Sequence, residues 1–219
     1  MKWLDPAAQA RLKAFSLSLR RPAGGGAAGR HRALARGLSR DFSHHRPYDP
    51  GDEARAIDWK AYARLDRPMV RSYRSEQRLT LSILLDVSGS MGYAGAGREP
   101  KLHAARRVAA SLAWLALQQG DEAGLTLFDA TVRRALPPRA GLGWLAELDA
   151  ALDATAPGGE TGLPAALDAA AEDLPRRGLV ALVSDLQGDP PAVLAAAARL
   201  RARRQELLVV QVLDPDELA

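Results

Sequence analysis

An aspartate and two serines at alternate positions are the residues of this chain whose type and spacing could do chemistry. Asp86, Ser88 and Ser90 directly follow the apolar segment 79–85, which has the composition of a buried parallel strand. In open α/β sheets, ligands bind where the carboxyl ends of the strands lead into loops. Side chains on alternate residues of an extended segment can point the same way. Carboxylate and hydroxyl oxygens in such an array suit Mg²⁺, so the pattern predicts a divalent-metal site.

Three other kinds of functional site are built at the end of a buried strand, and their motifs do not match this sequence. A nucleophile elbow requires a glycine two residues before its serine, and Asp86 and Ser88 occupy those positions. A phosphoaspartyl site of the haloacid-dehalogenase type requires a second aspartate where Ser88 stands. The sequence contains no phosphate-binding motif of the form GxxxxGK[ST]. The remaining alternatives are a metal site and the ordinary capping of a turn or helix by Asp and Ser.

Two more oxygen donors follow where other loops are expected to reach the same edge. Asp185 ends the apolar segment 179–184, and Thr161 lies in the glycine-rich loop 157–162. Each residue alone could simply cap the helix that follows it. Three loops that meet at one sheet edge favour the metal site instead. The candidate ligands are therefore Asp86, Ser88, Ser90, Thr161 and Asp185.

The order of the elements around these residues predicts the fold. From residue 79 onward, strand-like apolar segments alternate with helical segments, which is typical of a doubly wound, Rossmann-like α/β domain with a mostly parallel sheet. The expected strands are 79–85, 123–128, 131–136, 179–184 and 206–213, and the expected helices lie near 100–119, 141–154, 163–174 and 191–204. The strand 131–136 follows a tight turn, so it is expected to be an antiparallel edge strand.

Residues 1–78 have a different pattern, which predicts a small α+β module in front of the α/β domain of residues 79–219. A helix over 4–21, with Asp5-Pro6 as its start signal, precedes the glycine-rich linker 24–29 and short β-like segments. The module carries 17 Lys and Arg against 8 Asp and Glu, whereas residues 79–219 carry 13 against 18. This asymmetry leaves nucleic-acid binding open, but arginines interleaved with acids and aromatics favour docking against the chain's own acidic part.

Composition restricts the class of protein. A chain of 219 residues can bury a sizeable core, and the absence of cysteine excludes disulfides and thiolate metal sites. No segment approaches the roughly 20 apolar residues of a membrane span, and the first residues lack the apolar core of a signal peptide. We therefore expect a cytoplasmic protein that does not bind the membrane.

Residues 79–213 resemble a von Willebrand factor A domain. The metal-ion-dependent adhesion site of that family uses the pattern DxSxS, then a threonine, then an aspartate, on three loops. The matching residues here are Asp86, Ser88, Ser90, Thr161 and Asp185. The resemblance implies a bound Mg²⁺ or Mn²⁺ ion and a protein partner that supplies a Glu or Asp carboxylate to the metal.

Residues 29–78 resemble the bacterial domain-of-unknown-function 58 family. The resemblance lies in Gly29-Arg30-His31-Arg32, Phe42, Arg46-Pro47-Tyr48, Pro50-Gly51-Asp52-Glu53, Arg55, Ile57-Asp58-Trp59 and Ala63-Arg64. Members of that family are typically encoded beside AAA+ ATPases of the MoxR type. The two resemblances together imply a non-enzymatic, Mg²⁺-dependent protein-interaction module that acts as an adaptor for such an ATPase.

Two other functions remain open from the residues. One is an Mg²⁺-dependent phosphoester hydrolase that uses Asp86 and Asp185 to hold metal and water. The other is nucleic-acid binding by the basic residues 1–78, which would be sensitive to salt.

The end of the chain carries a separate expectation. A von Willebrand A sheet has six strands in the order 3-2-1-4-5-6, and the sequence contains only five strand-like segments. We therefore expect the C-terminal strand to be missing and strand 206–213 to be a sheet edge.

Overall fold

The computed structural model describes residues 2–19, 42–48, 57–73, 78–174 and 177–218. Its helices and strands, in chain order, are α1 (Pro6–Leu12), β1 (Phe42–Pro47), α2 (Trp59–Leu65), β2 (Met69–Tyr73), β3 (Thr80–Asp86), α3 (Lys101–Gln118), β4 (Glu122–Phe128), β5 (Val132–Ala140), α4 (Trp144–Asp153), α5 (Leu163–Asp173), β6 (Gly178–Ser184), α6 (Pro190–Ala202) and β7 (Gln205–Gln211). The chain divides into two compact units. The larger unit consists of residues 1–22 and 78–219, and the smaller unit consists of residues 23–77.

Five strands of the larger unit form one mixed, mostly parallel sheet in the order β5-β4-β3-β6-β7. The central strand β3 pairs in parallel with β4 and β6, and β7 pairs in parallel with β6. Strand β5 runs antiparallel to β4 at the other edge, as the tight turn before it predicted. In the described part of the chain β7 pairs with β6 alone, which is the edge position expected for it.

Helices cover both faces of this sheet, because successive residues of a strand point to opposite sides. On β3, Leu81, Ile83 and Leu85 pack into a core with residues of α3 and α4. The intervening Leu84 packs on the other face with residues of α5 and α6. A strand covered on both faces has no polar side to show, which explains the continuous apolar run seen in the sequence.

The parallel pairing brings the carboxyl ends of three strands to one edge. Asp86, the last residue of β3, lies opposite Phe128, the last residue of β4. Leu85 lies opposite Val183 of β6, one residue before that strand ends at Ser184. The loops that begin with Val87, Asp129 and Asp185 therefore emerge side by side.

The first residues pack with the larger unit. Asp5 caps α1 by accepting a hydrogen bond from the backbone N–H of Ala8, and Pro6 occupies the first turn, as the start signal predicted. The helix expected over 4–21 is shorter, however, because α1 ends at Leu12 with Lys13 as its C-cap residue. Trp3 and Leu4 are buried in the core beside α3 and α4. The expected module of residues 1–78 differs from the observed smaller unit in this respect, because its first 22 residues lie with the α/β unit.

The smaller unit contains an antiparallel pair of strands, β1 and β2, and the helix α2. Asp58 caps α2 by accepting hydrogen bonds from the backbone N–H groups of Lys60 and Ala61. The aromatic side chains of Trp59 and Tyr62 predict core positions in this unit, but 64% of Trp59 and 39% of Tyr62 are exposed. The expectation was wrong because the seven-residue helix turns Ala61, and not its aromatic residues, inward.

Several sequence-based expectations for this part of the chain lie outside the described residues. They are the linker 24–29 and, of the salt-bridged turn that Asp52, Arg55 and Asp58 predict, the members Asp52 and Arg55. In the described ranges, no helix combines the length and apolar character needed to cross a bilayer.

Candidate metal-binding site

Asp86 is fixed at the carboxyl end of the central strand. The residue is fully buried. Its Oδ1 accepts a hydrogen bond from the backbone N–H of Ser88 at 2.9 Å, and its Oδ2 accepts one from the Ser184 hydroxyl at 2.6 Å. A buried carboxylate requires such partners, because burial of an unpaired charge is costly. The two bonds set the orientation of the carboxylate from its own loop and from the end of β6.

The two serines of the motif place their hydroxyls side by side. Ser88 is fully buried and Ser90, in the short 3-10 turn Gly89–Gly92, is partly buried. Their Oγ atoms lie 3.1 Å apart and share a hydrogen bond. Neighbouring ligands of octahedral Mg²⁺, at metal–oxygen distances of about 2.0–2.1 Å, are about 3 Å apart. The serine pair therefore has the spacing of two adjacent magnesium ligands.

The loop that carries Thr161 is hydrogen-bonded directly to the serine loop. The backbone N–H of Gly89 donates to the carbonyl of Gly159, and the N–H of Gly158 donates to the carbonyl of Val87, both at 2.9 Å. Thr161 itself is partly buried. It does not cap the following helix, because Gly162 is the N-cap residue of α5 and makes no side-chain capping bond. The capping alternative for Thr161 is thereby removed.

Asp185 reaches the same edge from β6. The residue is 2% exposed, and its Oδ1 accepts a hydrogen bond from the backbone N–H of Gln187 at 3.2 Å. It does not cap the next helix, because Asp189 is the N-cap residue of α6. Its Oδ2 accepts a hydrogen bond from the Nζ of Lys101 at 2.8 Å. The structure thus places both predicted carboxylates at the carboxyl edge of the sheet, with a cation beside one of them.

Lys101 is a residue of this edge that the sequence did not point out. It is the first residue of α3, and its side chain is only 2% exposed. The ammonium bridges Asp185 and Glu217, whose Oε1 lies 2.6 Å away. Burial alone would lower the pKa of Lys101, but the hydrogen bonds to the two carboxylates outweigh it and raise the pKa. A signal was available, because a cation at a helix N-terminus opposes the helix dipole and needs an acidic partner.

The segment after β7 holds Glu217 in place through Asp214. Asp214 is buried and accepts hydrogen bonds from Arg98 Nε at 2.9 Å and from the backbone N–H of Gly95 at 3.1 Å. The hydrogen bonds from Arg98 hold the pKa of Asp214 well below its usual range. Glu217 in turn accepts a hydrogen bond from the backbone N–H of Asp214 at 2.8 Å. This C-terminal turn, residues 214–217, is therefore tied to the loop that precedes α3.

A second ion pair supports the Thr161 loop. Asp129, at the carboxyl end of β4, is ion-paired with Arg133 and accepts a hydrogen bond from the backbone N–H of Thr131 at 3.0 Å. Arg133 also donates to the carbonyl of Gly158 at 2.7 Å. Sequence reasoning missed Asp129, although it follows a parallel strand just as Asp86 and Asp185 do.

The donor set fits a hard divalent cation. Two buried carboxylates supply charge, and a pair of correctly spaced hydroxyls supplies neutral oxygen ligands. Within the described ranges, no three His, Cys, Asp or Glu side chains cluster closely enough to hold a metal by themselves. A metal ion at this edge would therefore need the hydroxyls of Ser88 and Ser90 as well as the acids.

Solved structures with the same fold come from two Bacteroides species. One is described as an aerotolerance-related membrane protein from Bacteroides fragilis NCTC 9343, with multiple mutations to serines, and matches with a TM-score of 0.51 and 21% identity over 63% of this chain and 69% of that one. The other is the conserved hypothetical protein BatB from Bacteroides thetaiotaomicron, with a TM-score of 0.52 and 18% identity over 63% of this chain and 68% of that one. At these identities the likeness concerns the fold alone.

Sequence relatives cover nearly the whole chain. Uncharacterized proteins of Mycobacterium bovis and Mycobacterium tuberculosis are each 30% identical over 222 aligned residues, which span 98% of this chain and 68% of the relatives. The model of the family described as "Protein of unknown function DUF58" matches residues 44–219. The chain therefore belongs to the DUF58 family.

Proposed function

We propose that this protein is a metal-dependent protein-interaction module, built on a von Willebrand A-type domain, with Mg²⁺ or Mn²⁺ at the edge described above. The proposal rests on one observation: the Ser88 and Ser90 hydroxyls lie 3.1 Å apart, beside the buried carboxylate of Asp86. That spacing is what adjacent ligands of a hard octahedral cation require.

The residues at this edge would bind the ion in two ways, as neutral ligands and as charged acceptors. The hydroxyls of Ser88, Ser90 and Thr161 would supply neutral oxygen ligands, and Asp86 and Asp185 would supply charge and accept hydrogen bonds from the ion's waters. Three hydroxyl oxygens do not fill the octahedral coordination of Mg²⁺, which would keep positions for water or for another anion. A Glu or Asp side chain of a partner protein is the anion that we assign to this role.

Binding suits these contacts better than hydrolysis does. Asp86 is held by a hydroxyl and a backbone N–H, and Asp185 is held by a backbone N–H and an ammonium. Carboxylates fixed as acceptors by such donors hold charge in place, whereas a general base must be free to accept a proton from substrate. We therefore propose a non-enzymatic role and keep the phosphoester hydrolase as the alternative that an assay can revive.

Most of the affinity for a partner must come from the surface around the ion, since a lone carboxylate binds hydrated Mg²⁺ weakly. The loop 92–100 offers such a surface. Tyr93 is 44% exposed, and its ring lies 5.9 Å from the Lys101 ammonium. Tyrosine is among the residue types that most often dominate binding energy at interfaces, so we assign Tyr93 to the contact with the partner.

Removal of the two serine hydroxyls should abolish the response of the protein to metal. We expect Mg²⁺ or Mn²⁺ to raise the melting temperature of the wild type and to leave that of the Ser88→Ala/Ser90→Ala variant unchanged. The two hydroxyls form a hydrogen bond with each other, so the double substitution does not leave one of them without this partner. Ser111→Ala is the matched control, because that hydroxyl bonds to a carbonyl on the exposed face of α3. A metal response retained by the double variant would exclude this site.

The proposed partner is an AAA+ ATPase of the MoxR type, in the cytoplasm where ATP is available. An affinity capture from cell extract in Mg²⁺ is expected to recover the ATPase with the wild type and to lose it with chelator or with the double serine variant. Ser111→Ala should capture it normally. Recovery that is equal with and without chelator would contradict a metal-bridged contact.

A further inference from the structure

The strongest unexplained feature of the larger unit is a buried ammonium at the proposed metal edge. Lys101 is not one of the predicted ligands, yet its side chain is 2% exposed and its Nζ lies 2.8 Å from Asp185 Oδ2. A buried cation that contacts a candidate metal carboxylate competes for the same negative charge as the metal does. The contact between Lys101 and Asp185 should therefore weaken metal binding, whichever protein binds at this site.

Glu217 modifies this competition from the other end of the unit. Its Oε1 lies 2.6 Å from the same ammonium, so one cation is shared between Asp185 and the C-terminal turn. The turn is anchored independently of Lys101, through the bonds of Asp214 to Arg98 and Gly95. Glu217 is consequently a second, anchored acceptor with which Asp185 shares the ammonium.

Lys101 and Glu217 together set the charge next to Asp185. Asp185 and Glu217 contribute two negative charges and Lys101 contributes one positive charge, so these three bonded groups carry a net charge of −1 when ionised. Without Lys101 the remaining pair would carry −2, and without Glu217 the remaining pair would be neutral. In a site of low dielectric constant, each such step changes the attraction for a dication substantially.

We propose that Lys101 is an internal cation that occupies Asp185 in place of a divalent metal, and that Glu217 in the C-terminal turn sets how strongly it competes. This inference rests on the proposed metal site. By thermodynamic linkage, if Glu217 strengthens metal binding, then metal binding also changes the hold of the C-terminal turn on Lys101. Metal binding would thereby change the contact between Lys101 and the C-terminal turn.

The test compares binding of Mn²⁺ alone to three variants of the full chain, by titration with detection of the free ion by electron paramagnetic resonance. Lys101→Met keeps the length of the side chain and removes its charge, so we expect it to bind Mn²⁺ at least about tenfold more tightly than the wild type. Glu217→Gln keeps Lys101 and removes its second acceptor, so we expect it to bind about tenfold more weakly.

Asp216→Asn is the matched control. Asp216 belongs to the same turn as Glu217, and its substitution by Asn removes the same charge. Asp216 pairs with Arg98, however, and its side chain is 51% exposed. Its variant should bind Mn²⁺ within about twofold of the wild type, because exposed charges are strongly screened. The melting temperature in chelator gives a second measurement. Lys101→Met should melt lower than the wild type without metal, since Asp185 is left unpaired, and Mn²⁺ should restore it.

The outcomes separate this inference from the proposed function. Binding that requires Ser88 and Ser90 but is unchanged or weaker in Lys101→Met would overturn the competition and leave the metal site standing. If neither the wild type nor Lys101→Met binds Mn²⁺ through these serines, the metal site and this inference fall together. Should Lys101→Met fail to fold even with Mn²⁺, the weaker binding of Glu217→Gln relative to Asp216→Asn decides the question.

Discussion

Replacement of Asp86 by alanine is expected to abolish metal binding and to lower the free energy of unfolding by about 2–4 kcal/mol. The stability loss follows from two donors left without an acceptor in a buried place, the Ser88 backbone N–H and the Ser184 hydroxyl. A buried unsatisfied donor costs about 1–3 kcal/mol. The metal loss follows from removal of a carboxylate that is fully buried at the centre of the site.

Replacement of Asp86 by asparagine should separate these two effects. In Asp86→Asn, the carbonyl oxygen of the new amide side chain can still accept from the Ser88 N–H. Its NH₂ group can donate to the Ser184 hydroxyl oxygen, which also accepts from the backbone N–H of Leu186, but the proton of that hydroxyl then loses its acceptor. We therefore expect Asp86→Asn to lower the free energy of unfolding by about 1–3 kcal/mol, less than Asp86→Ala, since one buried donor and not two is left without an acceptor. Its affinity for Mn²⁺ should nevertheless fall about a hundredfold or more, because a charge next to a dication is removed.

The measurements are urea unfolding in chelator for stability and Mn²⁺ titration for binding. Asp168→Asn is the matched control, because Asp168 is an exposed carboxylate of α5 that pairs with Arg199 on the neighbouring helix. That variant should bind metal normally. An Asp86→Asn protein that binds Mn²⁺ as tightly as the wild type would show that Asp86 has a purely structural role in its loop.

The candidate site was predictable from the sequence where its residues follow directly from strand ends. The buried strands β3 and β6 stand out as apolar runs, and the residue after such a run must reach the carboxyl edge of the sheet. Asp86, Ser88 and Asp185 were found in this way. The same rule applied to β4 would have found Asp129, which also follows a buried strand.

The network around these residues could not be predicted, because it depends on contacts between distant parts of the chain. Lys101 meets Asp185 across 84 positions and Glu217 across 116. Nothing in the local sequence of α3 fixes which acid its first residue will meet. The large aromatic side chain of Trp59 predicted a core residue, but Trp59 is exposed. Only the packing of α2 shows that Ala61 is the residue turned inward.

The position of Gly162 leads to a prediction about the loop that carries Thr161. A Cβ atom at Gly162 would lie 2.6 Å from both the Cα and the carbonyl oxygen of Ala130, which are backbone atoms of the turn between β4 and β5. The backbone N–H of Gly162 also donates to the carbonyl of Asp129 at 3.0 Å. The φ of Gly162 is −116°, outside the left-handed region that favours glycine, so the close approach of Ala130 is the main obstacle to a side chain here.

We expect Gly162→Ala to lower the free energy of unfolding by about 1–3 kcal/mol, the usual cost of overpacking a close contact. The loop must move away from Ala130 to make room, and the adjacent Thr161 moves with it. Since the same loop is bonded to the serine loop through Gly159, Mn²⁺ binding should weaken at least about tenfold.

Gly143→Ala is the matched control for this steric effect. Gly143 precedes α4 with a φ of −60°, and a Cβ atom there meets nothing within 4 Å. That variant should be as stable as the wild type or more stable by about 0.4–1 kcal/mol, because alanine restricts the unfolded chain, and it should bind metal normally. If Gly162→Ala loses stability but keeps its affinity for Mn²⁺, Thr161 does not contribute to the metal site, and the ligands reduce to those on the loops after β3 and β6.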